Sequence, residues 1–329
     1  MTILVTGGAG YIGSHMVWRL VDAGEMVVVA DRLSTGFDWA VSPEAQLKIG
    51  DLADPLFRQA LFEHGDIESI IHFAGSIIVP QSVADPLMYY KNNTATSRDL
   101  IEDAVKFGVK HIIFSSTAAV YGNVGGEPVL EGAPLLPESP YGRSKLMTEV
   151  MLADAASAHD LRYTALRYFN VSGADPLKRT GQSTKGATHL IKVASETALG
   201  KRTSMQLFGT DYPTPDGTCV RDYIHVSDLA EAHHLALQRL RNGGGNLIAN
   251  CGYGQGFSVK QVIDAVKRVS GQDFNVEVTG RRPGDAASVV ANSSLAKAEL
   301  GWVPKHDNLD FIAKTAIEWE DSLTRRNRV

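Results

Sequence analysis

Short, continuously apolar runs alternate with longer amphipathic stretches through the first half of the chain, a rhythm that predicts βαβ units. The runs at residues 3–6, 26–30, 47–49, 69–73, 111–115 and 163–167 read as strands. They lack the in–out alternation of a sheet with one wet face. The sheet they form should therefore be parallel, covered by helices on both faces and doubly wound. Helices are expected to start near Tyr11, Pro55, Asn92 and Tyr141. Beyond Asn170 the rhythm loosens, with turn-rich stretches at 209–217 and 242–245. Apolar spacing at 229–240 and 259–269 still indicates helices, and 247–250 reads as a strand able to rejoin the first sheet.

Composition narrows the class of protein. With 329 residues, 44% hydrophobic and 21% charged, the chain is an ordinary globular one, long enough for one large α/β unit or two domains. A net charge of −5 provides no broad basic field for nucleic acid. No apolar run approaches the roughly 20 residues of a membrane span, and no secretory leader precedes the first strand, so a cytoplasmic protein is expected. Two cysteines, Cys219 and Cys251, are too few for a disulfide framework or a cysteine metal site. No metal is expected.

Chemistry enters with Thr6-Gly7-Gly8-Ala9-Gly10-Tyr11-Ile12-Gly13, which follows the first strand and opens the first helix. Glycines there let the backbone turn tightly against a pyrophosphate, whose charge is favoured by free amides at the helix start. The second strand ends at Asp31, about 20 residues on, where a carboxylate accepts hydrogen bonds from a ribose and repels a 2′-phosphate. That combination predicts NAD rather than NADP, although Arg32 beside it could accept a phosphate. Residues 1–170 thus read as a Rossmann-type NAD-binding domain that also takes the strand near 247–250. Residues 171–329 read mainly as a smaller, discontinuous substrate lobe. Tyr141 and Lys145 stand one helical turn apart, and a neighbouring ammonium should lower the pKa of a phenol from its usual value near 10, making Tyr141 a candidate acid/base.

These features, and further segments in order, resemble the extended branch of the short-chain dehydrogenase/reductase family and, within it, the UDP-glucose (UDP-galactose) 4-epimerase family. The segments are Tyr11-Ile12-Gly13-Ser14-His15, His72-Phe73-Ala74-Gly75, Tyr89-Tyr90-Lys91-Asn92-Asn93, Val120-Tyr121-Gly122, Pro140-Tyr141-Gly142-Arg143-Ser144-Lys145, Arg167-Tyr168-Phe169-Asn170, Val220-Arg221-Asp222-Tyr223-Ile224-His225-Val226 and Arg282-Pro283-Gly284-Asp285. The resemblance implies a tightly bound NAD that is not consumed, a UDP-sugar substrate and a homodimer. It implies reversible inversion at C4 of a UDP-hexose, UDP-galactose to UDP-glucose, through a transient 4-keto sugar. Tyr141, Lys145 and Thr117 would be catalytic.

Cofactor contacts are implied for Gly7, Gly10, Tyr11, Ile12, Gly13, Asp31, Asp51, Leu52, Phe73, Ala74, Gly75, Asn92, Ser115 and Phe169, besides Tyr141 and Lys145. Substrate contacts are implied for Ser116, Thr117, Asn170, His189, Leu190, Leu207, Phe208, Arg221, Arg282, Asp285 and Val289. Plain alternatives stand beside these roles: core packing for the apolar residues, capping for Asn92, Ser115 and Thr117, and salt bridging of Arg221 to Asp222 or Asp285.

Dehydrating and decarboxylating relatives carry a carboxylate just after the catalytic hydroxyl, whereas this chain has Ala118 and Ala119, which cannot move a proton. Three positions depart from the family pattern. Ile77 replaces a lysine that supports the cofactor, His189 an asparagine at the diphosphate, and Val289 a tyrosine that limits the sugar pocket. The small Val289 would admit an N-acetyl group. UDP-pentose and UDP-uronate 4-epimerases, a non-catalytic NAD-sensing scaffold and a plain alcohol dehydrogenase are the remaining readings.

Overall fold

A computed structural model describes residues 1–63, 66–282 and 284–326. Among the described residues thirteen strands run in chain order: β1 (Thr2–Thr6), β2 (Met26–Asp31), β3 (Gln46–Ile49), β4 (Ile67–His72), β5 (His111–Thr117), β6 (Arg162–Tyr168), β7 (Asn170–Ser172), β8 (Met205–Phe208), β9 (Val220–His225), β10 (Leu247–Cys251), β11 (Gly256–Ser258), β12 (Val276–Thr279) and β13 (Ser288–Val289). Seven of them form one all-parallel sheet in the order β3-β2-β1-β4-β5-β6-β10. The order reverses between β1 and β4, and a crevice at such a switch point is where a doubly wound sheet takes its ligand.

Alternation of side chains divides the core into two layers. Ile3, Val5, Val27, Val29, Ile71, Ile113, Leu166 and Ala249 pack with the Tyr11–Asp22 and Val226–Arg241 helices. Leu4, Val28, Ala30, Ile70, Ile112, Phe114 and Ala165 pack on the other side with the Pro55–Glu63, Thr96–Lys106 and Pro140–Ala158 helices. Both faces are dry, which is why the strands read as unbroken apolar runs. The strand expected at 247–250 pairs in parallel with β6, Leu247 opposite Thr164 through Cys251 opposite Tyr168.

One helix departs from expectation. The segment expected to begin near Asn92 begins at Pro86, capped by Asp85, whose carboxylate accepts from Met88 N. It then widens into a π-helical turn over Tyr90–Ala95 before continuing as Thr96–Lys106. Such turns add a residue to the ladder and re-aim side chains, commonly beside functional sites.

Outside the large sheet, β9 pairs with β7 and β13 in parallel and with β11 in the antiparallel sense. A separate parallel pair joins β8 and β12. Among the described residues no helix is long and apolar enough to cross a membrane. Nor does any group of His, Cys, Asp and Glu among them fit a metal ion.

Candidate active site

The glycine loop crosses the switch point. Gly7 has φ +70°, and a Cβ there would lie 2.7 Å from Ala74 N, so only glycine lets the loop after β1 touch the one after β4. A Cβ on Gly13 would meet Gly7 O at 2.2 Å. Asp31 orders this loop from β2, its two carboxylate oxygens accepting from Ala9 N at 3.0 Å and Leu33 N at 2.8 Å. Helix Tyr11–Asp22 starts at Gly10 without a side-chain cap, leaving its first amides as anion donors. These features fit a dinucleotide.

Several side chains expected on the cofactor are engaged elsewhere. Tyr11 Oη donates to Gly173 O at 2.6 Å, and Ile12 packs on the core, so both can serve a pyrophosphate only through their amides. Leu52 is a core residue. Asp51 pairs with Arg32 at 3.1 Å and caps Ala53 N, so the guanidinium beside Asp31 already has a carboxylate. Phe73 tilts over buried His233 at 4.9 Å, Ala74 packs on the core and Phe169 packs on the Val120–Tyr121 cluster. Asn92 Nδ2 donates to Ser76 Oγ at 3.1 Å.

Its neighbour Asn93, to which the sequence assigned no role, is the more telling residue. It is buried and ties the loop after β4 to the Tyr–Lys helix, accepting from Ser76 N at 2.7 Å and donating to Ser144 Oγ at 3.0 Å. A Cβ on Gly75 would lie 3.0 Å from its Oδ1. Nothing in the sequence distinguishes Asn93 from Asn92.

Ser139 caps the Pro140–Ala158 helix by accepting from Gly142 N at 3.1 Å, and Pro140 sits at its first position. A Cβ on Gly142 would be 2.5 Å from Ala119 O, so glycine lets the helix press on the turn after β5. That contact brings Tyr141 to Thr117 at the carboxyl end of the sheet, close enough for the threonine hydroxyl to act on the phenol. Burial pushes the Tyr141 phenol up, the Thr117 hydrogen bond pulls it down, and Tyr89 nearby adds to the rise. This corrects the expectation from spacing alone, because burial dominates and Lys145 is not among the groups that pull the phenol down. Lys145 Nζ instead donates to Ser115 O at 2.9 Å and lies 4.9 Å from the Phe114 ring centre. Burial lowers its pKa to about 8, against the opposing charge of Glu149.

Successive residues of β5 face different ways. Ser115 Oγ hydrogen-bonds Tyr168 Oη, and Thr117 accepts from Ala119 N at 3.2 Å as well as meeting Tyr141. Ser116 points into the interior and donates to Glu149, which removes its hydroxyl from the substrate side. Ala118 and Ala119 form a single 3-10 turn.

Elsewhere in the chain, Arg221 lies 3.8 Å from Asp285, and the Arg282 guanidinium stacks 4.1 Å from the Phe208 ring centre. Pro283 lies outside the described residues. Val289 is opposite Arg221 in the β9–β13 register, which sets a small side chain beside the arginine. His189 precedes the Leu190–Ala198 helix without capping it and is 3.3 Å from the Gln182 amide nitrogen. Asn170 is exposed at the start of β7, and Ile77 is exposed too. Leu207 is buried in a small core of its own, and Leu190 packs against the same core, so neither offers a polar handle.

Known proteins match along nearly the whole chain. Residues 3–252 fit the NAD dependent epimerase/dehydratase family. A UDP-glucose 4-epimerase of Azospirillum brasilense is 53% identical over 321 residues, covering 98% of this chain and 92% of the relative. The solved UDP-glucose 4-epimerase of Brucella ovis, in complex with NAD, has a TM-score of 0.94 at 42% identity and covers 97% of this chain and 98% of that one. The UDP-Glc/GlcNAc 4-epimerase of Campylobacter jejuni has a TM-score of 0.86 at 45% identity, covering 98% and 99%. A glycine crevice at the switch point, a Thr–Tyr–Lys group beside it and agreement over the full length lead to one conclusion: the chain belongs to the NAD dependent epimerase/dehydratase family.

Proposed function

We propose that this protein inverts C4 of a UDP-hexose, interconverting UDP-galactose and UDP-glucose. The observation that carries this reading is Thr117 against Tyr141, followed by two alanines where elimination or loss of CO₂ needs a carboxylate. NAD, when bound, supplies the hydride acceptor for C4 and a positive ring charge. Tyr141 takes the proton of the 4-hydroxyl, with Thr117 orienting it, and returns a proton to O4 once the sugar has presented its opposite face. Lys145, held on Ser115 O, keeps a cation within one helical turn of the phenol. The 4-keto sugar must turn over between the two transfers, which calls for a firm grip on the diphosphate and a loose one on the hexose. Arg221 and Arg282 suit the first task. Purified protein given UDP-galactose and no nucleotide should form UDP-glucose. Absence of product with NAD present in the preparation would end this reading.

Val289 favours a second substrate. A small side chain beside Arg221 leaves room for an N-acetyl group at C2, and one solved relative is named for both UDP-Glc and UDP-GlcNAc. Val289→Tyr should cut kcat/KM on UDP-N-acetylgalactosamine by roughly tenfold or more while leaving UDP-galactose within about threefold. Wild-type protein inert toward the N-acetylated sugar would sink the idea.

A homodimer is proposed through the Thr96–Lys106 and Pro140–Ala158 helices, the latter exposing Met147 and Val150. Sedimentation equilibrium should give twice the chain mass, and Val150→Glu should halve it. A monomeric wild type refutes the interface.

A further inference from the structure

Below the Tyr141–Lys145 turn lies a buried ion pair to which the proposed reaction gives no role. Glu149 continues the helix one turn beyond Lys145 and is 2% exposed, and Arg167 on β6 is 3% exposed. Arg167 Nε and Nη2 donate to the two Glu149 oxygens at 2.9 and 2.6 Å, and Ser116 Oγ donates to the same carboxylate. Arg167 Nη1 also reaches Tyr121 Oη at 3.0 Å, and Tyr121 Oη donates to Asn250 Oδ1 at 2.7 Å. A well-packed apolar pair would commonly hold these elements together at least as well, so stability alone does not account for charges here.

Their position does account for them. Ser116 stands between Ser115, whose carbonyl holds Lys145, and Thr117, the partner of Tyr141. A grip on Ser116 therefore fixes the two strand positions on which the Tyr–Lys pair depends. The Glu149 charge acts in the same direction, opposing the burial that works against the Lys145 ammonium. Other titratable groups around Lys145 are His72 from β4, held neutral at about 3 by burial and by the Lys145 charge, Tyr141 on its own helix and Tyr168 from β6 behind Ser115. Arg167 belongs to Glu149. Glu149 is the carboxylate among them.

We propose that Glu149 is a positioning residue of this reaction, holding Lys145 as its ammonium and, through Ser116, fixing the Ser115–Thr117 edge; this rests on the role given to Tyr141 and Lys145 above. Two variants separate the effects. Glu149→Gln should lower kcat about tenfold at unchanged KM and move the alkaline limb of kcat down by about one pH unit. Ser116→Ala should lower kcat by a few-fold without moving the limb. NMR titration of labelled Lys145 reads the charge directly, and its midpoint must fall in Glu149→Gln. That titration decides the matter even if the wild type turns over no UDP-sugar, a result that would refute only the proposed function. An unmoved limb or midpoint in Glu149→Gln overturns the proposal. Should Glu149→Gln not fold, wild-type kcat in Ser116→Ala overturns it.

Discussion

Tyr141→Phe will lower kcat on UDP-galactose by about 10²–10⁴-fold, or ~3–5 kcal/mol of transition-state stabilisation, while the protein keeps its fold and its NAD. The substitution removes one hydroxyl and leaves the ring in place, and the Thr117 hydroxyl beside it still accepts from Ala119 N. Thermal stability should therefore stay close to wild type. The loss is in chemistry, because the 4-hydroxyl has no other acid/base beside it: Ser116 faces Glu149, and Lys145 is directed at Ser115 O. Initial rates with UDP-galactose, together with the NAD content of the purified variant, make the check. Retention of a tenth of the wild-type kcat would assign the base to another group.

The largest effect on stability is expected at Arg167. Arg167→Met leaves the Glu149 carboxylate buried with only Ser116 to satisfy it, and removal of one partner of a buried pair costs about 3–5 kcal/mol. Tyr121 and Asn250 lose their link to the pair as well. Exposed pairs such as Arg98–Glu102 and Arg268–Asp310 provide the internal contrast, since solvent screens them and breaking one should barely move stability. Urea unfolding of Arg167→Met beside Arg98→Ala reads the difference. Equal midpoints would mean that the interior around Glu149 is solvated after all.

The large sheet was legible because its strands are dry on both faces and leave unbroken apolar runs. The glycine loop was legible because its backbone tolerates no side chain at Gly7 or Gly13. The small strands β7, β11 and β13, of three, three and two residues, are too short to express any period. The π-helical turn at Tyr90–Ala95 was invisible for a different reason: it changes hydrogen-bond register, not composition, and it decides what Asn92 and Asn93 face. Strand parity hid Ser116, since three consecutive hydroxyl residues look alike until β5 is set against its neighbours. The pKa of Tyr141 was misread from spacing because i, i+4 says nothing about burial, and here Lys145 is held away on a strand carbonyl. Glu149 carried no signal at all, as a buried carboxylate on an otherwise ordinary helix resembles a solvated one, and Arg167 stood only inside a family segment with no role attached to it.

The place of β10 has a consequence for how the chain is made. Its partner β6 is an inner strand of the seven-stranded sheet, yet β10 itself leaves the ribosome only after β7, β8 and β9 of the second lobe. Until residue 241 has emerged, the nascent sheet lacks the Val226–Arg241 helix that covers one face of its core, and until residue 251 it carries an open edge at β6. Synthesis therefore cannot deliver a finished first half and then add a second; both close together, late, in a reaction dominated by contacts distant along the chain.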